Sequence, residues 1–163
     1  MASTSLSTPP RNYGYDAFIN FRGKDIRRTF LSHLIGALRR KHINAFKDEN
    51  LRKGEKITPR LLQIIEESRV SIVIFSTNYA DSSWCLDELV KILQCYENLK
   101  QIVKPLFFKV NTNDVQDLTG KFGKAFSKLR GELKVPEWTH ALMEVSQFAA
   151  WESKKFQRIQ IQA

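Results

Sequence analysis

Hydrophobic residues along this chain alternate between short continuous runs and longer segments with helical spacing. The run at residues 70–75, apolar at all but one position, is typical of a strand buried on both faces of a sheet. Apolar residues that recur every three or four positions predict amphipathic helices. The runs predict strands at residues 15–21, 43–47, 70–75 and 102–110, with a further short strand around Trp151. The helical spacing predicts helices at residues 30–41, 58–65, 84–98, 122–129 and 138–149.

The order of these elements, strands alternating with helices over short links, predicts an α/β domain. Its sheet is expected to be parallel, with helices on both faces. Ligands of such folds bind beyond the carboxyl ends of the strands. The loops expected at that edge are residues 22–27, 48–56, 76–83 and 111–120. Thr58 followed by Pro59 is a strong helix start, because a hydroxyl caps the helix and proline fits its first position.

The length of 163 residues suits one domain with a substantial core. We expect a loose Ser-, Thr- and Pro-rich tail at residues 1–14, the folded domain at residues 15–155 and a short tail at residues 156–163. No apolar stretch approaches the ~20 residues that cross a bilayer. The first tail lacks a signal-peptide pattern, and Ala2 excludes N-myristoylation. Both cysteines lie on one predicted helix and fit a reduced compartment. The expected location is the cytoplasm, with the nucleus as a second compartment.

The formal net charge is +9, with basic clusters at residues 39–41, 52–53, 121–134 and 154–155. Such clusters usually form a solvated surface. They also suit an anionic ligand or partner, such as a nucleotide, a nucleic acid or an acidic protein. Charge alone does not decide between these interpretations.

Several common motifs are missing from the sequence. It has no GxGxxG dinucleotide motif, no GxxxxGK[ST] phosphate loop and no GxSxG nucleophile elbow. Its histidines, His33, His42 and His140, have no metal-ligand spacing, so no metal site is predicted. A phospho-acceptor receiver domain needs an aspartate where the third strand ends, and this chain has Ser76 there.

Three of the predicted edge segments form long motifs. Residues 15–27 read YDAFINFRGKDIR, residues 48–57 read DENLRKGEKI, and residues 76–89 read STNYADSSWCLDEL. In this order, each at a strand end, they closely resemble a Toll/interleukin-1 receptor (TIR) domain of the plant immune-receptor type. The resemblance runs from Tyr15 to about Lys155. It implies a flavodoxin-like fold with about five parallel strands and a truncated final helix.

The resemblance also implies an activity. Many plant TIR domains cleave the nicotinamide–ribose bond of NAD⁺ or NADP⁺ when they self-associate, and their products signal in defence and cell death. The family's catalytic glutamate corresponds to Glu88, and a helix-packing pair corresponds to Ser32 and His33. Its nucleotide-binding and pocket-mouth positions correspond to Arg22, Gly23, Arg27, Arg52, Lys53, Trp84 and Cys85. The implied partners are further copies and other TIR domains. NAD⁺ or NADP⁺ is the implied substrate. No cofactor, metal or membrane partner is expected.

These residue types suit that reaction. Nicotinamide leaves as a neutral group, so a carboxylate near the ribose stabilises the positive charge that develops there. Guanidinium groups can hold a pyrophosphate with paired hydrogen bonds. Each residue also has a structural interpretation. The helix dipole favours an acid such as Glu88 in the first turns, Trp84 and Cys85 suit the core, and Arg22 and Arg27 suit a solvated surface.

The chain departs from the family pattern beside its first motif arginine and after its fourth strand. Lys24 and Ile26 replace an acidic residue and a threonine, and residues 111–113 replace the usual Asp-Pro-Ser. The departures at Lys24 and Ile26, together with the truncated final helix, support a second hypothesis, a non-catalytic TIR adaptor that pairs with and regulates other TIR immune receptors. Nucleic-acid binding, suggested by the charge, is a third hypothesis. Both a TIR-only protein and a fragment of a longer receptor fit the sequence.

Overall fold

Four parallel strands form the sheet of the computed structural model, which describes residues 14–26, 28–48 and 57–148. The strands are β1 (Tyr15–Asn20), β2 (Ala45–Lys47), β3 (Ser68–Phe75) and β4 (Ile102–Phe107), in the spatial order β2-β1-β3-β4. The central pair aligns Ile19 with Ile72 and Asn20 with Val73. The predicted parallel α/β architecture is confirmed. The further strand expected around Trp151 lies outside the described residues.

Helices connect and follow the strands. They are α1 (Arg28–Arg40), α2 (Pro59–Glu66), a short 3-10 helix (Tyr79–Asp81), α3 (Ser83–Leu99), α4 (Thr112–Asp117), α5 (Gly120–Ser127) and α6 (Val135–Ser146). Thr58 caps α2 as predicted. Its hydroxyl oxygen accepts a hydrogen bond from Leu61 N at 3.2 Å, and Pro59 occupies the first helical position. Among the described residues, no helix is long and apolar enough to cross a membrane.

The ends of the elements differ from the prediction by up to three residues, and two of these differences have a local cause. β4 ends at Phe107, three residues earlier than expected, because Lys109 turns the chain in a left-handed conformation with φ of 52°. α6 begins at Val135 and includes Pro136, whereas the sequence predicted a start after the proline. Proline is tolerated there because the first turn of a helix has no partner for the N–H that proline lacks.

The predicted loop after β4 is also partly wrong, because residues 112–117 form α4. The Asn111 side chain starts this helix by accepting a hydrogen bond from Asn113 N at 2.8 Å. Only Val115 is buried within α4. A helix this short with one buried residue has no repeating apolar face, so the hydrophobic pattern could not show it.

The sheet separates two apolar clusters. α1 covers one face, where Leu31 and Leu34 pack with Ile72 and Ile74 of β3. The other face carries the larger cluster, formed by β3 with α2, α3, α5 and α6. Its fully buried large side chains include Phe75, Tyr79, Leu89 and Phe122. Because both faces of β3 are covered, the strand is apolar almost throughout.

A cluster of hydrogen bonds, here called the Asp25 clamp, ties two loops together at the carboxyl edge of the sheet. Asp25 lies in the turn after β1. Its carboxylate accepts hydrogen bonds from Ser76 Oγ (2.7 Å), Asn78 N (2.6 Å) and Asn78 Nδ2 (2.7 Å), all beyond the end of β3. The clamp therefore fixes the turn after β1 against the segment that leads into α3.

Candidate active site at the carboxyl edge of the sheet

Glu88 lies in the second turn of α3, beside the carboxyl end of β1. Ser82 caps this helix by accepting a hydrogen bond from Cys85 N at 3.2 Å. Glu88 is only 2% exposed. Its Oε1 accepts a hydrogen bond from Asn20 Nδ2 at 2.7 Å, and its Oε2 accepts one from Trp84 Nε1 at 3.0 Å. Both carboxyl oxygens are therefore held in place.

Asn20, the last residue of β1, is itself oriented by a buried tyrosine. The Tyr79 hydroxyl donates to Asn20 Oδ1, which directs the Asn20 Nδ2 group toward Glu88. Tyr79 packs edge-on against Phe75, with ring centroids 5.1 Å apart, and stacks on Phe122 at 6.5 Å. Burial raises the pKa of Tyr79, so this hydroxyl stays a neutral donor. Sequence reasoning missed Asn20, although a polar residue ending an apolar strand is a usable signal.

Asp48 brings a second carboxyl group to the same place. It follows β2, and its Oδ2 accepts a hydrogen bond from Trp84 Nε1 at 2.7 Å. The single indole N–H of Trp84 therefore lies between the carboxyl groups of Asp48 and Glu88. Trp84 is 5% exposed, and its ring packs in the core while its indole nitrogen donates to the carboxyl groups of the site. Sequence reasoning placed Asp48 in an edge loop, as the first residue of the second motif, and gave it no role.

Burial also sets the protonation of these groups. Removal from water raises the pKa of Glu88 well above its ordinary value. The hydrogen bonds from Asn20 and Trp84 lower this pKa, and the charge of Asp48 raises it. Burial likewise raises the pKa of the Cys85 thiol, whose sulfur contacts a main-chain carbonyl. Cys85 is therefore a neutral thiol at neutral pH, in which state it is a poor nucleophile.

Arg22 and Gly23 follow β1 at the same edge. Arg22 Nε donates to Asp81 Oδ1 at 3.0 Å, and Lys128 Nζ lies 3.8 Å from the other Asp81 oxygen. The Arg22 side chain is 18% exposed, and Gly23 is half-buried in the turn. The predicted site residues that the structure brings to this edge are Arg22, Gly23, Trp84, Cys85 and Glu88.

The structure describes only two of the other predicted residues. Ser32 and His33 are exposed on α1. Arg27, Arg52 and Lys53 lie outside the described residues. Across residues 14–26, 28–48 and 57–148, no group of three His, Cys, Asp or Glu side chains could hold a metal ion.

A groove of about 670 Å³ lies away from this cluster, at the amino end of β4. Its lining includes Tyr96, Ile102 and Phe148, together with Lys100 and Lys104. Because ligands of parallel α/β sheets bind at the carboxyl ends of the strands, and because Glu88 lies at that end, the candidate active site is the Glu88 cluster and not this groove.

The family model for the TIR domain matches residues 14–160, and the chain belongs to this family. Two of its relatives are named as plant disease resistance proteins. Disease resistance protein RPV1 from Vitis rotundifolia is 47% identical over 154 residues, which cover 92% of this chain and 11% of that protein. Probable disease resistance protein RPP1 from Arabidopsis thaliana is 44% identical over 160 residues, which cover 93% of this chain and 13% of that protein. The chain thus spans little more than a tenth of these relatives.

A solved structure agrees with the fold. The TIR domains of the activated Roq1 resistosome, which directly recognises the pathogen effector XopQ, match with a TM-score of 0.78 and 39% identity. The match covers 91% of this chain and 99% of that chain. The predicted resemblance to plant TIR domains and the predicted flavodoxin-like TIR fold are both confirmed.

Proposed function

We propose that this domain hydrolyses the nicotinamide–ribose bond of NAD⁺ or NADP⁺ when copies of it self-associate, as a step in plant immune signalling. One observation carries the proposal. Glu88 is buried at the carboxyl edge of the sheet, with its two oxygens held by Asn20 and Trp84. A carboxylate that is fixed and shielded from water stabilises a neighbouring positive charge better than a solvated one does.

The reaction needs such a negative group beside the ribose. As the bond from the anomeric carbon to the nicotinamide nitrogen breaks, both of its electrons leave with neutral nicotinamide, and the ribose becomes an oxocarbenium ion. Glu88, as a carboxylate, stabilises that cation. A water molecule then adds its oxygen to the anomeric carbon and releases one proton. The products from NAD⁺ are nicotinamide, ADP-ribose and that proton.

Arg22 suits the pyrophosphate of the substrate. A guanidinium presents five N–H donors in a planar fork, and the contact with Asp81 engages the one on Nε. Its terminal nitrogens can then hold phosphate oxygens, while Gly23 permits close approach of the main chain. Arg22 and Glu88 both lie near Cys85, since the charges of both act on its thiol. A dinucleotide with its pyrophosphate at Arg22 can therefore direct its ribose toward Glu88.

Activity is expected to require self-association because the Glu88 carboxyl group is enclosed in the isolated domain. At 2% exposure, its carboxyl group cannot contact a ribose until neighbouring groups move. Contacts between copies can favour the conformation that admits substrate, since binding stabilises whichever state it selects. The Roq1 TIR domains of similar fold belong to an activated resistosome. Ser32 and His33, exposed on α1, are the expected contact.

The test is NAD⁺ and NADP⁺ consumption by the purified domain over a series of protein concentrations. We expect the rate to rise more steeply than linearly with protein, because only assembled copies turn over substrate. Nicotinamide release, followed by liquid chromatography, measures it. A folded, concentrated sample that leaves both dinucleotides intact, while an active TIR domain cleaves them in the same buffer, would overturn the proposal.

Replacing Ser32 and His33 together by alanine is expected to raise the protein concentration needed for half-maximal activity by about 10-fold, the effect of losing about 1.4 kcal/mol of contact energy. Activity at high protein concentration should recover, because neither side chain lies at Glu88. Sedimentation velocity measures assembly in parallel. Gln94→Ala, at an exposed position on α3, is the control and should leave both curves unchanged. Unchanged assembly in the double variant would show that this face is not the contact.

A second candidate function is the adaptor that pairs with other TIR domains without cleaving NAD⁺. It is favoured by the enclosure of Glu88 and by the ion pair of Arg22 with Asp81, since both groups already have protein partners. The two functions differ in one result. An adaptor with Glu88→Ala still assembles and signals, whereas a hydrolase with the same change assembles and does not signal.

A further inference from the structure

Two carboxyl groups in this domain share one hydrogen-bond donor. Trp84 Nε1 lies 2.7 Å from Asp48 Oδ2 and 3.0 Å from Glu88 Oε2. An indole nitrogen carries a single proton, so it cannot satisfy two ionised carboxylates at once. The other oxygen of Glu88 already accepts from Asn20. The carboxyl groups of the half-buried Asp48 and the buried Glu88 therefore meet at the same indole nitrogen.

A like charge this close favours the protonated form of Glu88. Among the described residues, the titratable groups that act on Glu88 are Asp48, Tyr79 and Cys85. Tyr79 and Cys85 are neutral at ordinary pH, because burial raises the pKa of each. Arg22 and Asp81 are paired with each other, and their charges act on Cys85. Asp48 is thus the described residue whose charge bears most directly on Glu88.

We propose that Asp48 and Glu88 form one carboxyl pair around the Trp84 N–H, and that Asp48 is thereby a positioning residue whose charge sets the pH at which Glu88 becomes a carboxylate. Its importance for catalysis rests on the proposed function, because only a Glu88 carboxylate stabilises the oxocarbenium ion. Substrate turnover should therefore fall at acidic pH as Glu88 takes up its proton.

The decisive variant is Asp48→Asn, which keeps the size of the side chain and an oxygen for the Trp84 N–H but carries no charge. Without the charge of Asp48, Glu88 loses its proton at lower pH. We expect the acidic limb of the NAD⁺ consumption profile to move to lower pH by about 1 pH unit. Asp48→Ser serves as a second variant if the asparagine protein does not fold, and the same direction of shift is expected.

The matched control is Asp87→Asn. Asp87 precedes Glu88 on α3 and also accepts a hydrogen bond from an indole, Trp138 Nε1 at 3.0 Å, with Lys134 Nζ 3.3 Å away. It does not share the Trp84 N–H. Asp87→Asn should therefore leave the acidic limb where it is. A residue that merely supports the fold would lower the rate at every pH without moving this limb.

A second readout does not depend on turnover. In protein labelled with ¹³C at glutamate side-chain carboxyl carbons, the Glu88 signal is assigned by its loss in Glu88→Gln and followed against pH. A lower titration midpoint in Asp48→Asn, with no change in Asp87→Asn, supports the pair. An unchanged midpoint in folded Asp48→Asn overturns it. If the Glu88 titration midpoint moves in Asp48→Asn but NAD⁺ is not consumed, the carboxyl pair is supported and the proposed hydrolase activity is contradicted.

Discussion

Glu88→Gln is expected to lower the rate of NAD⁺ consumption at saturating substrate by at least about 100-fold, the scale seen when one preorganised electrostatic contact to a transition state is lost. Glutamine keeps the shape of the side chain but carries no negative charge. The ribose cation then forms in a buried site without a counter-charge. Nicotinamide release from assembled protein measures the effect, with sedimentation showing that assembly is unchanged. If the variant retains more than a tenth of the activity, Glu88 does not take part in the reaction as proposed.

The same variant should be more stable than the parent protein at neutral and alkaline pH. Burial raises the pKa of Glu88 in the folded protein above its ordinary value of 4.5, so between these two pKa values the folded state binds the proton more tightly than the unfolded state. The free energy of unfolding therefore falls as pH rises through that window. Glutamine does not titrate. The difference between the variant and the parent should grow with pH.

Thermal unfolding from about pH 4 to about pH 8 measures this difference, because linkage ties the slope of stability against pH to the protons bound. Glu97→Gln is the control. Glu97 lies on the same helix but is exposed, and its variant should follow the parent at every pH. Parallel curves for Glu88→Gln and the parent would mean that burial does not disfavour the Glu88 carboxylate. Loss of activity together with a gain in stability is the usual signature of a functional site.

Phe75→Ala is expected to lower the free energy of unfolding by about 3–5 kcal/mol, the range for deleting a fully buried phenylalanine ring. Phe75 ends β3 with no solvent exposure and contacts Tyr79, Phe107 and Phe122 through its ring. A cavity there loses the transfer free energy of the ring and its packing contacts together. It also removes the support behind Tyr79, so NAD⁺ consumption should fall in the fraction that remains folded.

Urea unfolding measures this loss, with Phe30→Ala as the matched control. Phe30 begins the apolar face of α1 and packs on Phe108 at a centroid distance of 4.7 Å, but it is only half-buried. Because it removes less surface from water, its deletion should cost well under the loss at Phe75. Equal losses in the two variants would contradict the assignment of the larger cluster as the main core.

The hydrophobic pattern predicted most elements because their local signals agree with their final environment. β3 is apolar because both of its faces are covered, and Thr58 with Pro59 starts α2 through contacts within one turn. The hydrophobic pattern did not predict α4, because a helix with a single buried residue has no repeating spacing of apolar positions. Local signals are informative where the stabilising contacts are themselves local.

The candidate site shows the opposite case. Asn20 and Glu88 are 68 residues apart, and Asp48 and Trp84 are 36 apart, yet each pair is joined by a hydrogen bond. The motifs pointed to Glu88 and Trp84 through resemblance to a family. Nothing in the spacing of residues could reveal that one indole N–H serves two carboxyl groups, because that contact exists only once β1, β2 and α3 are assembled.

Because β2 is short, the domain is protected on that edge against aggregation through strand pairing between molecules. An edge strand exposes unpaired N–H and C=O groups that can recruit a strand from another molecule. β2, at one edge of the described sheet, has three residues and presents too few such groups for a foreign strand to extend the sheet. At that edge, copies at high local concentration are expected to contact each other through helix faces and loops and not through strand pairing. Such contacts bury preformed surfaces and can dissociate, whereas a strand-exchanged aggregate would not.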